Sequence, residues 1–223
     1  MLNLRKVPPM VAALALAALA LAAPAFAAVE TFKIDTTHST VSFKVRHLVA
    51  RSGGVFKKFG GTIDLDRAAP TASKVDFKVD VTSVDTGNES RDKHLNSPDF
   101  FDTAKFPEMT FKSTKIVDKG ASSFEVTGDL TLRGVTKPVT LTVSNGGFVK
   151  GRKGADVTGF EVSGKINRND FGVSYDQAGV VVGQDVEITI TIEAATVPPA
   201  PPATAGTASP AGTTSAPAPA AKK

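Results

Sequence analysis

The chain has 223 residues, with 26 Lys and Arg against 22 Asp and Glu, and no cysteine. That excludes disulfides and thiolate metal sites, so stability must come from a packed core. The excess basic charge sits at the two ends, in Arg5, Lys6, Lys222 and Lys223; between them acidic and basic residues balance, which removes the electrostatic footprint of a nucleic-acid binder.

In chain order, Arg5 and Lys6 precede an apolar Ala/Leu run, Val11 to Ala23, closed by Pro24 and followed by the small-x-small triplet Ala25-Phe26-Ala27. Residues 1–27 therefore read as a secretory signal peptide; the run is shorter than the roughly 20 apolar residues of a spanning helix. At the other end, 197–223 is almost wholly Pro, Ala, Thr, Gly and Ser. Such a segment cannot bury enough surface to offset its ordering entropy and reads as a disordered tail. One domain, 28–196, remains between them.

Within that domain hydrophobicity alternates with period two, the mark of strands with one dry and one wet face. A weaker segment, Thr31 to Asp35, leads into Val41, Phe43, Val45 and His47. Phe59, Gly61, Ile63 and Leu65 follow, then Val75, Phe77, Val79 and Val81. Met109 to Ile116, around Phe111, is weaker. Four strong runs follow: Phe124, Val126, Gly128, Leu130 and Leu132; Val139, Leu141 and Val143; Phe160, Val162, Gly164 and Ile166; Val186, Ile188, Ile190 and Ile192. Turn signals lie at Arg51-Ser52-Gly53-Gly54, Asp118-Lys119-Gly120, Arg133 to Pro138, Asn145-Gly146-Gly147 and Asn167 to Asp170, with Phe171 just beyond. Connections this short favour antiparallel neighbours. A long antiparallel meander with one dry face closes into a barrel or packs as a sandwich. Glycines on the dry face, at 61, 128 and 164, favour bent strands and so a barrel.

Arg91 to Pro107 breaks the rhythm. Asn88 or Ser90 can cap a short helix with Leu95 turned inward, which Pro98 stops. Ser97-Pro98-Asp99 then reads as a second helix start, closed by Pro107. Leu95, Phe100, Phe101 and Phe106 are left to plug one end of the barrel.

Candidate chemistry is sparse. Asp35, His38 and Ser39 are the residue types of a hydrolase triad, but neighbours on an extended chain point to opposite sides, and a strand entry with Asp35 or Thr37 bonding local amides fits better. His38, His47 and His94 lack the spacing of a metal site, so no metal is expected. No glycine-rich phosphate loop opens a helix. What stands out is apolar: 14 Phe, no Trp and one Tyr. A barrel of about eight strands is either filled by its side chains or just wide enough for one ligand, and composition leaves both open.

Several segments, in order, resemble the YceI-like family of periplasmic polyisoprenoid-binding proteins: FKIDTTHSTVSFKVRHL from Phe32, FKKFGGTIDLD from Phe56, RDKHLNSPDFFDTAKFPEMTF from Arg91, LTLRGVTKPVTL from Leu130 and INRNDFGVSY from Ile166. The resemblance implies an all-β fold with one short helical segment, a lipocalin-like antiparallel barrel whose apolar central cavity holds a long isoprenoid such as an isoprenoid quinone. It also implies a role in sequestering, storing or transporting that lipid in the periplasm. It carries no catalytic set, and no cofactor is expected besides the bound lipid. Transient membrane contact for lipid exchange and a homodimer are left open as partners. The cavity maps onto Phe43, Val45, His47, Phe59, Ile63, Phe77, Val79, Leu95, Phe100, Phe101, Phe106, Phe111, Leu130, Leu132, Leu141, Phe160, Val162, Ile166, Phe171, Ile188 and Ile190. Two alternatives stand beside it: an enzyme acting on a lipid head group through His47 with Asp35 or Asp92, and a structural envelope protein anchored by its tail.

Overall fold

The alternating segments become ten strands and one helix in the computed structural model, which describes residues 29–151 and 154–197. The signal-peptide segment and the tail beyond Val197 lie outside the described residues, as do Arg152 and Lys153. The elements are β1 (Glu30–His47), β2 (Ala50–Phe56), β3 (Phe59–Leu65), β4 (Lys74–Asp80), β5 (Val84–Asp85), α1 (Glu89–Asn96), β6 (Glu108–Gly120), β7 (Ser123–Leu132), β8 (Val135–Lys150), β9 (Asp156–Asn167) and β10 (Val182–Thr196).

Pairing closes the sheet. Strand β1 binds β10 from Phe32↔Thr196 to His47↔Val182, and on its other edge binds β3 at Glu30 to Lys33 and β2 at Val41 to His47. Going round from β1 through β10, β9, β8, β7, β6, β4 and β3 returns to β1, giving a closed antiparallel barrel of eight strands. Strands β2 and β5 lie outside this ring, with β5 paired to β2 through Val55↔Asp85 and Phe56↔Val84. At about 3.3 Å per residue and a tilt of about 40°, the 15 residues of β10 span about 38 Å along the axis, so the interior is elongated.

The inward glycines permit close approach. A Cβ on Gly128 would stand 2.4 Å from the Phe111 ring, and one on Gly164 2.4 Å from Leu141. Removing those Cβ atoms lets larger side chains lie flat across the strand, which a curved wall requires.

Three local expectations change. Arg51 to Gly54 belongs to β2, because the reversal occurs earlier, at Leu48-Val49. Gly53 and Gly54 serve packing instead: a Cβ on either would come within 2.7 Å of Phe43 O or Thr86 Cγ2. Asn145-Gly146-Gly147 is a bulge inside β8, where register against β9 shifts between Asn145 and Phe148. Helix α1 forms with Asn88 as cap, its side chain accepting from Arg91 N at 3.0 Å. The second helix does not form. Phe101 N bonds Leu95 O and Asp102 N bonds Ser97 O, both at 2.9 Å, and Asp102 takes φ 50°, so the chain folds back on α1 in turns.

Candidate functional site

Inside the ring lies a cavity of about 420 Å³, within the roughly 300–1,000 Å³ of small-molecule pockets. Its wall is the dry face of every strand in the ring. Of the side chains expected there from sequence, Phe43, Val45, Ile63, Phe77, Val79, Phe111, Leu130, Leu132, Leu141, Phe160, Val162, Ile166, Ile188 and Ile190 line it, with Leu95, Phe100 and Phe101 from the helical segment. Val41, Leu65, Val75, Val126, Val139, Val143, Val186 and Ile192 line it too; they stand at period-two positions in the same runs, so the alternation already marked them. Phe124 opens one of those runs as well, while Ile34, Phe56, Met109, Ile116 and Val182 belong to weaker segments or strand ends.

Four expected residues lie elsewhere. The register break between Val45 and His47 and the end of β1 carry His47 past the wall into solvent. Phe59 packs on Phe77, ring centroids 6.0 Å apart, at the joint between β2 and β3. The Phe106 ring covers Gly134 in the β7–β8 turn, where a Cβ would meet it at 2.6 Å. Phe171 is 1 % exposed, packed in the core cluster that holds Leu130 and Leu132.

Polar side chains reach the cavity mainly at its two ends, where the arginines, Asn145 and Ser73 are already engaged. At the end where β1 begins, Arg67 pairs with Glu30 and Asp156 and stands 4.3 Å from the Phe148 ring centroid. Burial works against its charge, but the hydrogen bonds to Asp156 and Glu30 prevail and its pKa stands above the ordinary value. Asn145 donates to Thr158 Oγ1 at 3.0 Å, and Ser73 Oγ accepts from Asp66 N at 3.0 Å. At the end where β1 finishes, Arg168 is 4 % exposed and donates to the carbonyls of Gly183, Tyr175, Asp176 and Val182. Among the described residues lining the cavity there is no carboxylate, imidazole or lysine. Neither Arg67 nor Arg168 was legible in the sequence, because each is placed by distant partners in the closed ring.

At the His47-side end the segment that interrupts the strand pattern lies across the barrel, with Leu95, Phe100 and Phe101 in the cavity wall. Phe100 stacks on Tyr175 at 5.0 Å, and His94 stands edge-on to both. The amides of Ser174 and Tyr175 donate to Asp99 O at 3.2 and 3.1 Å, and Arg133 donates to Pro98 O and Phe100 O. Phe101 reaches Phe56 at 5.9 Å.

The candidate catalytic groups do not assemble. Ser39 Oγ donates to Asp35 O at 2.6 Å and accepts from Glu193 N at 3.0 Å, leaving it unbonded to His38. Asp35 instead binds Thr37 N at 2.8 Å and His38 Nδ1 at 2.9 Å on the outer surface. The ligand atoms of Asp35, His38 and Glu193 lie within 4.8 Å of one another, an arrangement the imidazole, set against both carboxylates, explains as an ion pair. The hydrogen bond to Asp35 raises the His38 pKa, and the same bond lowers that of Asp35. Asp92 binds Thr86 N and Oγ1 at 3.0 and 2.6 Å and is not paired with His47.

Comparison with known proteins adds the rest. Residues 32–194 match the family described as YceI-like domain. The chain is 43% identical over 165 residues to Protein YceI of Escherichia coli O17:K52:H18, an alignment covering 73% of this chain and 85% of that protein. It is similar in structure to the YceI protein of Campylobacter jejuni, at 35% identity and TM-score 0.62, covering 67% of this chain and 88% of that one. A polyisoprenoid binding domain from Saccharophagus degradans shares the fold at TM-score 0.54 and 17% identity, covering 76% and 99%.

Proposed function

The chain belongs to the YceI-like domain family, and from that premise we propose that it is an exported binding protein that sequesters, stores or ferries a long-chain polyisoprenoid lipid in its barrel. One observation carries the reading: an elongated cavity whose wall is aliphatic and phenyl on all eight strands, with no acid, imidazole or lysine among the described lining residues. That wall suits a long apolar chain and gives acid/base chemistry nothing to work with, which favours a binding protein over an enzyme. The polyisoprenoid binding domain of the same fold supports the choice of ligand class.

Energetics then favour exchange. At about 0.8 kcal/mol per buried carbon, a five-carbon isoprene unit gains about 4 kcal/mol gross on leaving water. A bilayer offers the chain the same gain, so transfer between membrane and barrel is nearly balanced. Carriage requires a gate more than added affinity. No cofactor beyond the lipid enters this scheme.

Organic extraction of the purified protein followed by mass spectrometry tests it, with uptake of an added isoprenoid quinone as the second arm. We expect a polyisoprenoid in the extract or saturable quinone uptake. Failure of both would overturn the proposal.

A further inference from the structure

The β1–β2 hairpin turns through two residues, Leu48 and Val49, which contradict turn chemistry. A two-residue connection calls for Gly, Asn or Asp because one or both positions need positive φ. Here Leu48 sits at φ 50° and Val49 is a β-branched residue fully open to solvent. A bulky residue at positive φ is strained, and local conflicts of this kind concentrate at functional sites.

The tip does not stand alone. Leu48 N donates to Val181 O at 2.7 Å, which sets Val180, 69 % exposed, beside Leu48, 53 % exposed. Arg46 staples the two loops, donating to Leu48 O at 2.8 Å, to Val180 O at 3.4 Å and to Gly179 O. Among the described residues no carboxylate is within ion-pair distance of Arg46. Lys44 and Arg51 share its neighbourhood on β1 and β2, with Glu187 paired to Arg51 and Asp185 to Lys165. Three exposed apolar side chains thus project beyond a collar of Lys44, Arg46, Arg51 and Lys165 against Asp185, Glu187 and Asp176, the last of which spends its carboxylate on the amides of Val180, Val181 and Val182. Just below, Val45, Val182 and Val186 line the cavity.

We propose that Leu48, Val49 and Val180 form a docking foot for an anionic bilayer surface. The apolar side chains enter the acyl boundary and Arg46, Lys44 and Arg51 meet the lipid phosphates, the division of labour of interfacial anchors. Seated so, the protein brings the His47-side end of the cavity, with the segment that covers it, against the membrane, a role that rests on the lipid-binding reading above.

The test compares sedimentation of the protein with phosphatidylcholine vesicles containing or lacking phosphatidylglycerol, all variants carrying the same ends. Leu48→Gly combined with Val49→Ser relieves the strained φ, so its Tm should match or exceed wild type while binding to phosphatidylglycerol vesicles falls at least about tenfold. Arg46→Gln should weaken binding and reduce its salt sensitivity. Val149→Ser, at an equally exposed apolar site on the opposite end, should change nothing. Vesicle binding unaltered in the double variant, or lost equally in Val149→Ser, overturns the proposal. So does a wild-type dimer that the double variant converts to monomer without any vesicle binding, which would make the tip a contact between copies. Lipid extracted from the same samples separates the two readings: a double variant that keeps its lipid but does not dock supports the foot, and an empty protein that docks through the tip supports the foot while removing the carrier.

Discussion

Replacing Arg168 by Met gives the most decisive structural test. Met keeps the apolar stem and removes the guanidinium, which donates to Gly183 O at 2.9 Å, Val182 O at 2.9 Å, Asp176 O at 2.6 Å and Tyr175 O. Each buried acceptor left without a partner costs about 1–3 kcal/mol. Against that stands the desolvation of the guanidinium, which holds its pKa below the ordinary value and which the substitution recovers. Some freed carbonyls also regain water, because Tyr175 and Asp176 lie at the surface. We take the net loss as about 3 kcal/mol, which for a barrel of this size lowers Tm by about 6–12 °C. Thermal unfolding by circular dichroism reads the total, and amide exchange reads its location. The amides of Val180, Val181 and Val182, held by the Asp176 carboxylate, should exchange faster than those of β7 and β8. A Tm within about 2 °C of wild type, or acceleration spread evenly over the barrel, would refute the view that Arg168 clamps this loop.

Phe101→Ser should cost about 2–3 kcal/mol, since Phe101 packs against two core clusters, and should cut recovered lipid about tenfold; exposed His94→Gln should stay within about 0.5 kcal/mol of wild type. Gly128→Ala must displace the Phe111 ring and crowd Lys112 O, at 2.4 and 2.5 Å from the new Cβ, so a loss of about 2 kcal/mol and about 4–8 °C is expected in thermal unfolding. For the Asp35–His38 pair the folded pKa of His38 is raised, so its contribution is complete below the unfolded value and disappears as pH rises through the folded one. That of Asp35 is lowered, so its contribution disappears as pH falls through its folded value. NMR titration should place His38 above the ordinary histidine range, and Asp35→Asn should bring it down; an unmoved midpoint would mean that Asp35 is not the cause.

The strands were legible because period two is a local property: Val75 to Val81 and Val186 to Ile192 declare their dry face in the residues themselves. Closure was legible more weakly, through glycines at 61, 128 and 164 on that face. What escaped was whatever depends on distant partners. The pairing of Arg67 with Glu30 and Asp156 exists only once the closed ring brings the end of β3, the start of β1 and the start of β9 to the same rim of the barrel. His47 shows the opposite failure, since its period-two position is correct but the strand outlasts the wall. Arg51 to Gly54 looked like a turn because glycine signals both reversal and close packing, and only the partner strand says which.

The closed ring has a consequence for the protein when it is empty. Without a ligand the interior is bare apolar wall, and an open sheet of such strands would invite edge-to-edge polymerisation. Among the described residues the ring closes through β10 and β1, and the edge left outside it is short: β5, two residues long and packed against α1, covers Val55 and Phe56, and the uncovered part of β2 carries Arg51 and two glycines. The fold therefore keeps its long apolar wall inside the ring and leaves only small apolar points, such as the tip at Leu48, Val49 and Val180, outside it, so an empty barrel offers other copies little strand edge on which to build fibres.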